Sequence, residues 1–308
     1  MRFRSVFAVV ISYYPDIDAL LSLVRKLECQ VERVVVVDNG SLSSGSIDLL
    51  SGCCHFIGLS ENFGIATAQN LGIDYCRDNG ADAVVFFDQD SLPDEGLIDA
   101  LSLEFYKLSL VSKVAAVAPI YKDNRYGFNY SLVRVSSWGR VTKIEAIEGG
   151  KSFWVTCLIS SGSLISMDAL ADVGPMRDDL FIDYVDTEWC LRAQRCGYAL
   201  YSVPSTIMLH SIGEGMINML FWRLPVHSPN RRYFRVRNSF LLLGMPHVPV
   251  LLACREVLQG LIHQALLILT QAGRRVDYLS SGWQAVRDGL RLCRDGRVVA
   301  RIRQGRKI

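Results

Sequence analysis

AVVFFDQDS, residues 83–91, runs five apolar residues straight into two aspartates one residue apart. A continuous apolar run reads as a strand covered on both faces, as in a parallel sheet. In open α/β sheets, ligands bind beyond the carboxyl ends of the strands, where Asp88 and Asp90 stand. Two carboxylates crowded together repel one another. A hard divalent cation, Mg²⁺ or Mn²⁺, bridging them to a substrate diphosphate makes the arrangement favourable.

The sequence on either side alternates in the same way. Apolar runs at 6–13 (VFAVVISY), 34–38 (VVVVD), 54–60 (CHFIGLS) and 114–119 (VAAVAP) predict further strands. Helical spacing predicts helices over 16–29, 65–79 and 92–109. This order indicates an α/β fold with a mostly parallel sheet flanked by helices. The residues that end the first four strands are then expected on one edge: Tyr13; Asp38 and Asn39; Asn62 and Gly64; Asp88 and Asp90. Residues 121–150 are polar, aromatic and glycine-containing, which predicts hairpins or an irregular insertion. From about residue 218 the pattern is mostly helical with interrupting prolines, so the expected division is 1–217 and 218–308.

Composition narrows the class. Half of the 308 residues are apolar, enough for a sizeable core and too many for a disordered chain. The most apolar region, 240–272, is interrupted by Pro246, Pro249, Arg255, Glu256, His263 and Gln264, and no membrane-spanning helix is expected from it. The start, MRFRSVFAVVISYY, lacks a small-residue cleavage site and reads as a first buried strand rather than a signal peptide. Nine cysteines without a C-x-x-C pair give neither a zinc spacing nor a disulfide framework, which fits a reducing cytosol. Cys53, Cys54 and His55 read as strand packing rather than half of a metal site.

Charge is uneven along the chain. Residues 274–308 hold ten Lys and Arg against three Asp, a net of +7, so the remainder carries −5 of the whole-chain +2. A basic tail behind apolar helices suits the surface of an anionic membrane, and a solvated helical face is the alternative. No recognition-helix or aromatic pattern accompanies the charge, so nucleic acid is not an expected partner. No G-x-G-x-x-G follows the first strand and no G-x-x-x-x-G-K-[ST] occurs, which removes dehydrogenases and P-loop enzymes.

Three further stretches carry chemistry. ENFGIATAQNLG, residues 61–72, is a loop entering a helix whose small residues permit close approach to a sheet, with Asn62 able to lend amide hydrogen bonds. FIDYVDTEWCLRA, residues 181–193, gathers Asp183, Asp186 and Glu188 beside Trp189, more acids than helix capping requires. Any of the three carboxylates could act as a general base. Asp186 stands near the start of a predicted helix over 185–196, where the positive dipole end supports its charge. RRYFRVRN, residues 231–238, sets Arg231 and Arg235 one helical turn apart, either as a solvated face or as a planar multi-donor contact to a diphosphate.

VISYYP, VVVVDNGS, ENFGIATAQNLG, FFDQDS and FIDYVDTEWCLRA, in this order and spacing, resemble glycosyltransferase family 2, inverting enzymes of GT-A fold. FDQDS, ISSGSLIS and FIDYVDTEWCLRA are most similar to bacterial rhamnosyltransferases of O-antigen and related polysaccharide synthesis. The likeness spans roughly residues 5–240 and departs at Val185, where Glu is common in the family. It implies Tyr13 and Asp38 around the nucleotide base, Asp38 accepting from the pyrimidine N3. Asn62, Gly64 and Asp88 would then line the nucleotide-sugar pocket, and Asp90 and His210 would hold the cation. Asp186 would serve as base, with Asp183, Glu188 and Trp189 toward the acceptor and Arg231 and Arg235 at a diphosphate. The implied reaction moves L-rhamnose from dTDP-L-rhamnose to a glycan or lipid-linked acceptor, at the cytoplasmic face of the inner membrane. A UDP-hexose or UDP-galactofuranose donor, or a non-catalytic nucleotide-sugar-binding protein, remain the alternative readings.

Overall fold

Strand β1 (Val6–Ser12) lies between β2 (Arg33–Asp38) and β4 (Ala83–Asp88), parallel to both, and β3 (His55–Gly58) extends the parallel set beyond β2. The computed structural model describes residues 3–123, 128–210, 215–219 and 222–305. Every residue of β1 and all but the last of β4 are buried, so the apolar runs are covered on both faces as expected of parallel strands.

The helices follow from their own patterns. In α1 (Ile17–Glu28), Leu20, Leu23, Val24 and Leu27 form one buried stripe, and the Asp16 carboxylate caps the start by accepting from the Ala19 amide at 3.1 Å. In α3 (Ile65–Asp78), Ala66 and Ala68 are fully buried, and a Cβ added to Gly72 would stand 2.4 Å from Val9 Cγ1. The small residues of this helix therefore let it lie directly on β1.

The chain continues through β5 (Leu92–Pro93), α4 (Leu97–Ser109), β6 (Val114–Asp123), β7 (Leu132–Val135), β8 (Val141–Ile144), β9 (Phe153–Val155), β10 (Leu164–Ser166), α5 (Met167–Val173), α6 (Val185–Arg195) and β11 (Ala199–His210). The main sheet has nine strands in the order β3-β2-β1-β4-β10-β6-β11-β5, with β9 also on β11. Strand β10 runs antiparallel between β4 and β6, while β6 and β11 are parallel. Strands β7 and β8 form a separate pair in the region expected to hold hairpins.

Two local expectations need correction. The helix predicted over 92–109 begins at Leu97, because Leu92 and Pro93 pair with the end of β11, an edge position that tolerates proline, and Gly96 then turns the chain at φ 76°. A short helix, α2 (Ser44–Ser51), occupies a serine-rich stretch with too few apolar positions to display a period.

The chain divides into two compact units. The first contains Met1–Arg134, Lys143–Phe181 and Val185–Ser211, and the second Val135–Thr142, Ile182–Tyr184 and Ile212–Ile308. The second unit opens with a hairpin of β12 (Gly215–Met219) and β13 (Trp222–Val226), where mostly helix was expected. It continues with α7 (Pro229–Leu242), α8 (Val250–Thr270) and α9 (Arg275–Gly305). Val236, Phe240 and Ala285 form a buried core among these helices, joined by Tyr233, Val257 and Val286. A Cβ on Gly289 would meet the Arg237 carbonyl oxygen at 2.9 Å, so α9 crosses close to the α7 backbone.

Helix α8 also alters the reading of 240–272. Its 21 residues form one continuous helix, long and apolar enough by length and composition to cross a membrane. Its polar residues have partners within the unit: Gln264 accepts from Arg232 Nε at 2.9 Å and Glu256 accepts from the Tyr184 hydroxyl at 3.0 Å. Val250, Leu251, Leu258, Ile262 and Leu269 are exposed along its other side.

Candidate active site

The carboxyl ends of the first strands are stitched together by hydrogen bonds. The Tyr13 amide donates to Gln89 Oε1 at 2.7 Å, bridging β1 to the turn after β4. Sheet order reverses between these two strands, which is where a crevice forms in an open α/β sheet. Tyr13 and Tyr14 are exposed and meet edge to face with ring centroids 4.6 Å apart, offering aromatic surface at the mouth of that crevice. The Tyr14 amide donates to Ser41 Oγ at 2.8 Å, tying the same corner to the loop after β2.

Asp38 is buried and already satisfied. Oδ1 accepts from Ser12 Oγ at 2.9 Å and Ser41 Oγ at 2.6 Å, and Oδ2 accepts from the amides of Ser41 at 2.6 Å and Leu42 at 3.1 Å. A carboxylate has about four acceptor positions, so the residue expected to read a pyrimidine N3 instead holds its own loop in shape. Gly40, at φ 72°, allows that loop to touch Glu61, whose Cα would lie 2.7 Å from an added Cβ. Asn62 is likewise engaged locally, its Oδ1 accepting from the Gly64 amide at 2.9 Å. Gly64 adopts φ 90°, and a Cβ there would stand 2.6 Å from the Phe181 carbonyl oxygen, so only glycine fits where α3 begins.

The two acidic motifs of the first unit converge on a third segment, residues 158–163. The Asp88 amide donates to Ser161 Oγ at 3.2 Å, Ser91 Oγ lies 2.7 Å from the same hydroxyl, and the Gly162 amide donates to the Phe86 carbonyl at 2.7 Å. From the other side, the Leu158 amide donates to Cys190 Sγ of α6 at 3.5 Å. Gln194 Nε2 of α6 donates to the Thr156 carbonyl at 2.6 Å. Asp186 stands in the first turn of this helix, where its Oδ1 accepts from the Thr187 amide at 2.7 Å. Tyr121, fully buried, donates its hydroxyl to the carbonyls of Ser161 at 2.8 Å and Ile159 at 3.1 Å.

Burial raises the Tyr121 pKa most, and the negative charges of Asp186 and Asp88 raise it further. Segment 158–163, bonded on one side to Asp88 and Ser91 and on the other to Cys190, links the end of β4 to α6. Tyr121 is absent from the sequence-derived site. It lies two residues past the predicted strand 114–119, so extending the strand-end rule to the fifth strand reaches it.

Other acids of the 181–193 motif have different surroundings. Glu188 is completely buried, and Arg192 Nε and Nη2 donate to its two oxygens, each at 2.9 Å. The same guanidinium holds the carbonyls of Val173 and Pro175 at 2.7 Å. Trp189 is also buried and donates its indole N–H to the Gly174 carbonyl at 3.0 Å. Both residues were expected beside an acceptor, and both are instead interior, Glu188 held by Arg192 and Trp189 by the Gly174 carbonyl that follows α5.

Within the second unit, the Asp183 carboxylate is 6 % exposed and faces Arg235 Nη1 at 3.2 Å and Arg231 Nε at 3.5 Å. Burial works to raise its pKa, but Arg235 and Arg231 outweigh that and hold it below the usual carboxylate range. Arg235 also lies over the Tyr184 ring, 4.8 Å from its centroid. The two arginines expected at a diphosphate therefore have Asp183 as their first partner.

Asp90 is exposed at the turn after β4. Among the described residues, no three His, Cys, Asp or Glu side chains cluster as a metal cage. His210 ends β11 opposite Asp123 in register, and its side chain lies outside the described residues. One or two carboxylates in a turn is nevertheless the donor set that Mg²⁺ takes when phosphate oxygens complete its shell, so Asp88 and Asp90 fit such an ion.

Known proteins resemble this chain in sequence and in fold. Residues 6–174 match the model of glycosyl transferase family 2. The chain is 39 % identical over 290 residues to a dTDP-rhamnosyl transferase, RfbF, of Shigella flexneri, covering 93 % of this chain and 96 % of that protein. Among solved structures, S. aureus TarS 1–349 in complex with UDP-GlcNAc superposes with a TM-score of 0.56 at 14 % identity, covering 98 % of this chain and 92 % of that one. GalNAc-T7 with UDP, GalNAc and Mn²⁺ gives 0.54 at 12 % identity, covering 79 % of this chain, which spans about half (52 %) of that chain. These likenesses establish a GT-A-type α/β fold, and together with the family match they place this chain in glycosyl transferase family 2.

Proposed function

We propose that the protein transfers L-rhamnose from dTDP-L-rhamnose to a hydroxyl of a glycan or lipid-linked acceptor, with inversion at the sugar carbon. The observation that supports this reading is segment 158–163, which is bonded to the Asp88 amide at the end of β4 and to Cys190 of α6, the helix that carries the candidate base. The donor is favoured by the extended similarity to a rhamnosyl transferase. Tyr13 stacks on or flanks the thymine, Asn62 and Gly64 shape the wall where α3 begins, and Asp88 contacts the ribose or sugar. Asp90, with His210, is the proposed holder of a divalent cation, which when bound offsets charge on the leaving diphosphate. Asp186 removes the proton from the acceptor hydroxyl. Asp183 serves the structure, and the remaining N–H donors of Arg231 and Arg235 are read as a contact to a diphosphate.

Residues 1–217 are proposed as the catalytic part and 218–308 as a peripheral anchor on the cytoplasmic face of the membrane. Support comes from exposed apolar side chains on α8 and, on α9, Val276, Leu279 and Trp283, followed by a tail of net +7. Sedimentation with vesicles tests this: the wild-type chain should pellet with anionic phosphatidylglycerol vesicles, and a variant with the exposed Leu279 and Trp283 both replaced by Glu should not. Equal partitioning of the two overturns the anchor.

Turnover of purified protein with a panel of donors tests the reaction. dTDP-L-rhamnose should be consumed in the presence of Mn²⁺ and acceptor membranes, with activity lost on chelation. Turnover of only a UDP-sugar would overturn the rhamnosyl reading, and no turnover of any donor would favour a binding protein.

A further inference from the structure

The backbone entering α6 is held in a conformation its residues do not favour. Phe181, Asp183 and Tyr184 have φ of 62°, 62° and 65°, in the left-handed region that costs non-glycine residues about 1 kcal/mol or more each. A run of such residues persists only where its surroundings fix it. Phe181 is held by α3, its carbonyl accepting from the Ile65 amide at 2.7 Å, whereas the surroundings of Asp183 and Tyr184 are the helices of the second unit, to which Ile182–Tyr184 belong.

Asn238 of α7 is the centre of that grip. It is fully buried, and its amide nitrogen donates to two successive carbonyls, Ile182 at 2.8 Å and Asp183 at 3.1 Å. Its own oxygen accepts from Arg237 Nε at 2.9 Å and Nη2 at 2.7 Å, which sets the amide so that its N–H groups face the strained backbone. Arg231 and Arg235, from the same helix, hold the Asp183 carboxylate, and Glu256 of α8 holds the Tyr184 hydroxyl. Backbone and side chains of three consecutive residues are thus clamped immediately before Val185 and Asp186.

We propose that Asn238 is a positioning residue for transfer: by clamping the Ile182 and Asp183 carbonyls it sets the direction in which α6 begins and so the aim of the Asp186 carboxylate. This rests on the reading of Asp186 as the base. A base displaced by about 1 Å costs on the order of 100-fold in rate, whereas donor binding, built from the ends of β1 to β4, does not depend on it.

The test is the kinetics of Asn238→Asp, which keeps the shape and removes both N–H donors, with Arg237→Gln as a milder variant should Asn238→Asp fold poorly. Transfer from dTDP-L-rhamnose into the glycolipid fraction of acceptor membranes gives kcat, and calorimetry gives dTDP affinity. The expected result is a kcat loss of about 100-fold for Asn238→Asp and a smaller loss for Arg237→Gln, with donor KM and dTDP affinity within about twofold of wild type. Combined with Asp186→Asn, Asn238→Asp should lower the residual rate no further. Unchanged kcat, parallel loss of dTDP binding, or additive losses in the double variant would overturn the positioning role. Failure of the base reading is separate: it appears as a wild-type rate in Asp186→Asn alone.

Discussion

Asp183 and Asp186 lie three residues apart in one motif, and the fold treats them in opposite ways. Asp183 is buried between two arginines in the second unit, its charge met by the protein itself. Asp186 sits half-buried in the first turn of α6, its Oδ1 accepting from the Thr187 amide. Glu188 belongs with Asp183, buried and forked by Arg192, and Asp90 belongs with Asp186, exposed at the end of a strand. Asp183 and Glu188 are thus set deep against arginines while Asp90 lies exposed and Asp186 half-buried, a distinction that residue type and spacing do not reveal.

Substitutions can break this comparison. The largest effect is expected from Asp186→Asn, which should lower transfer about 1,000-fold while leaving dTDP affinity and melting temperature nearly unchanged. Parallel loss of binding and turnover would move Asp186 into the structural group. Asp90→Asn should lower kcat/KM on the order of 100-fold and abolish the dependence of dTDP binding on Mn²⁺, as read by calorimetry with and without the metal. Retained Mn²⁺ dependence would place the cation elsewhere.

The structural acids should respond in stability instead. Glu188→Gln leaves Arg192 without its buried counter-charge and should cost about 3 kcal/mol in urea unfolding. Asp183→Asn should cost less, about 2 kcal/mol, because its arginine partners are more than a third exposed and solvent screens them. Its pH dependence carries a definite sign. The folded pKa of Asp183 is depressed, so its contribution is fully present above the ordinary carboxylate value of about 3.9 and is lost as pH falls through the lower folded value. The gap between wild type and Asp183→Asn should therefore close in strong acid. A gap that widens there would contradict the assignment.

Much of the sheet is legible in the sequence because buried parallel strands announce themselves as unbroken apolar runs: β1 and β4 lie within their predicted spans, and β2 begins one residue before its own. The polar strand ends follow from the same rule. What stays hidden depends on partners distant in sequence. Nothing local marks Asp38 as saturated by Ser12 and Ser41, or Trp189 as interior. Asn238 lies 55 residues from the Asp183 carbonyl that it binds, and inside RRYFRVRN it is overshadowed by four arginines. Segments 135–142 and 182–184 join the second unit without any shift in composition to mark the exchange.

The most direct test of the shared site is a crystal of the protein soaked with dTDP and Mn²⁺, with the metal located by its anomalous signal. The account predicts thymine at Tyr13, the ion against the Asp90 carboxylate and the diphosphate, and the Asp186 carboxylate opening onto the same cavity from α6. Nucleotide bound away from the ends of β1 and β4, or Asp186 walled off from it by protein, would contradict the account.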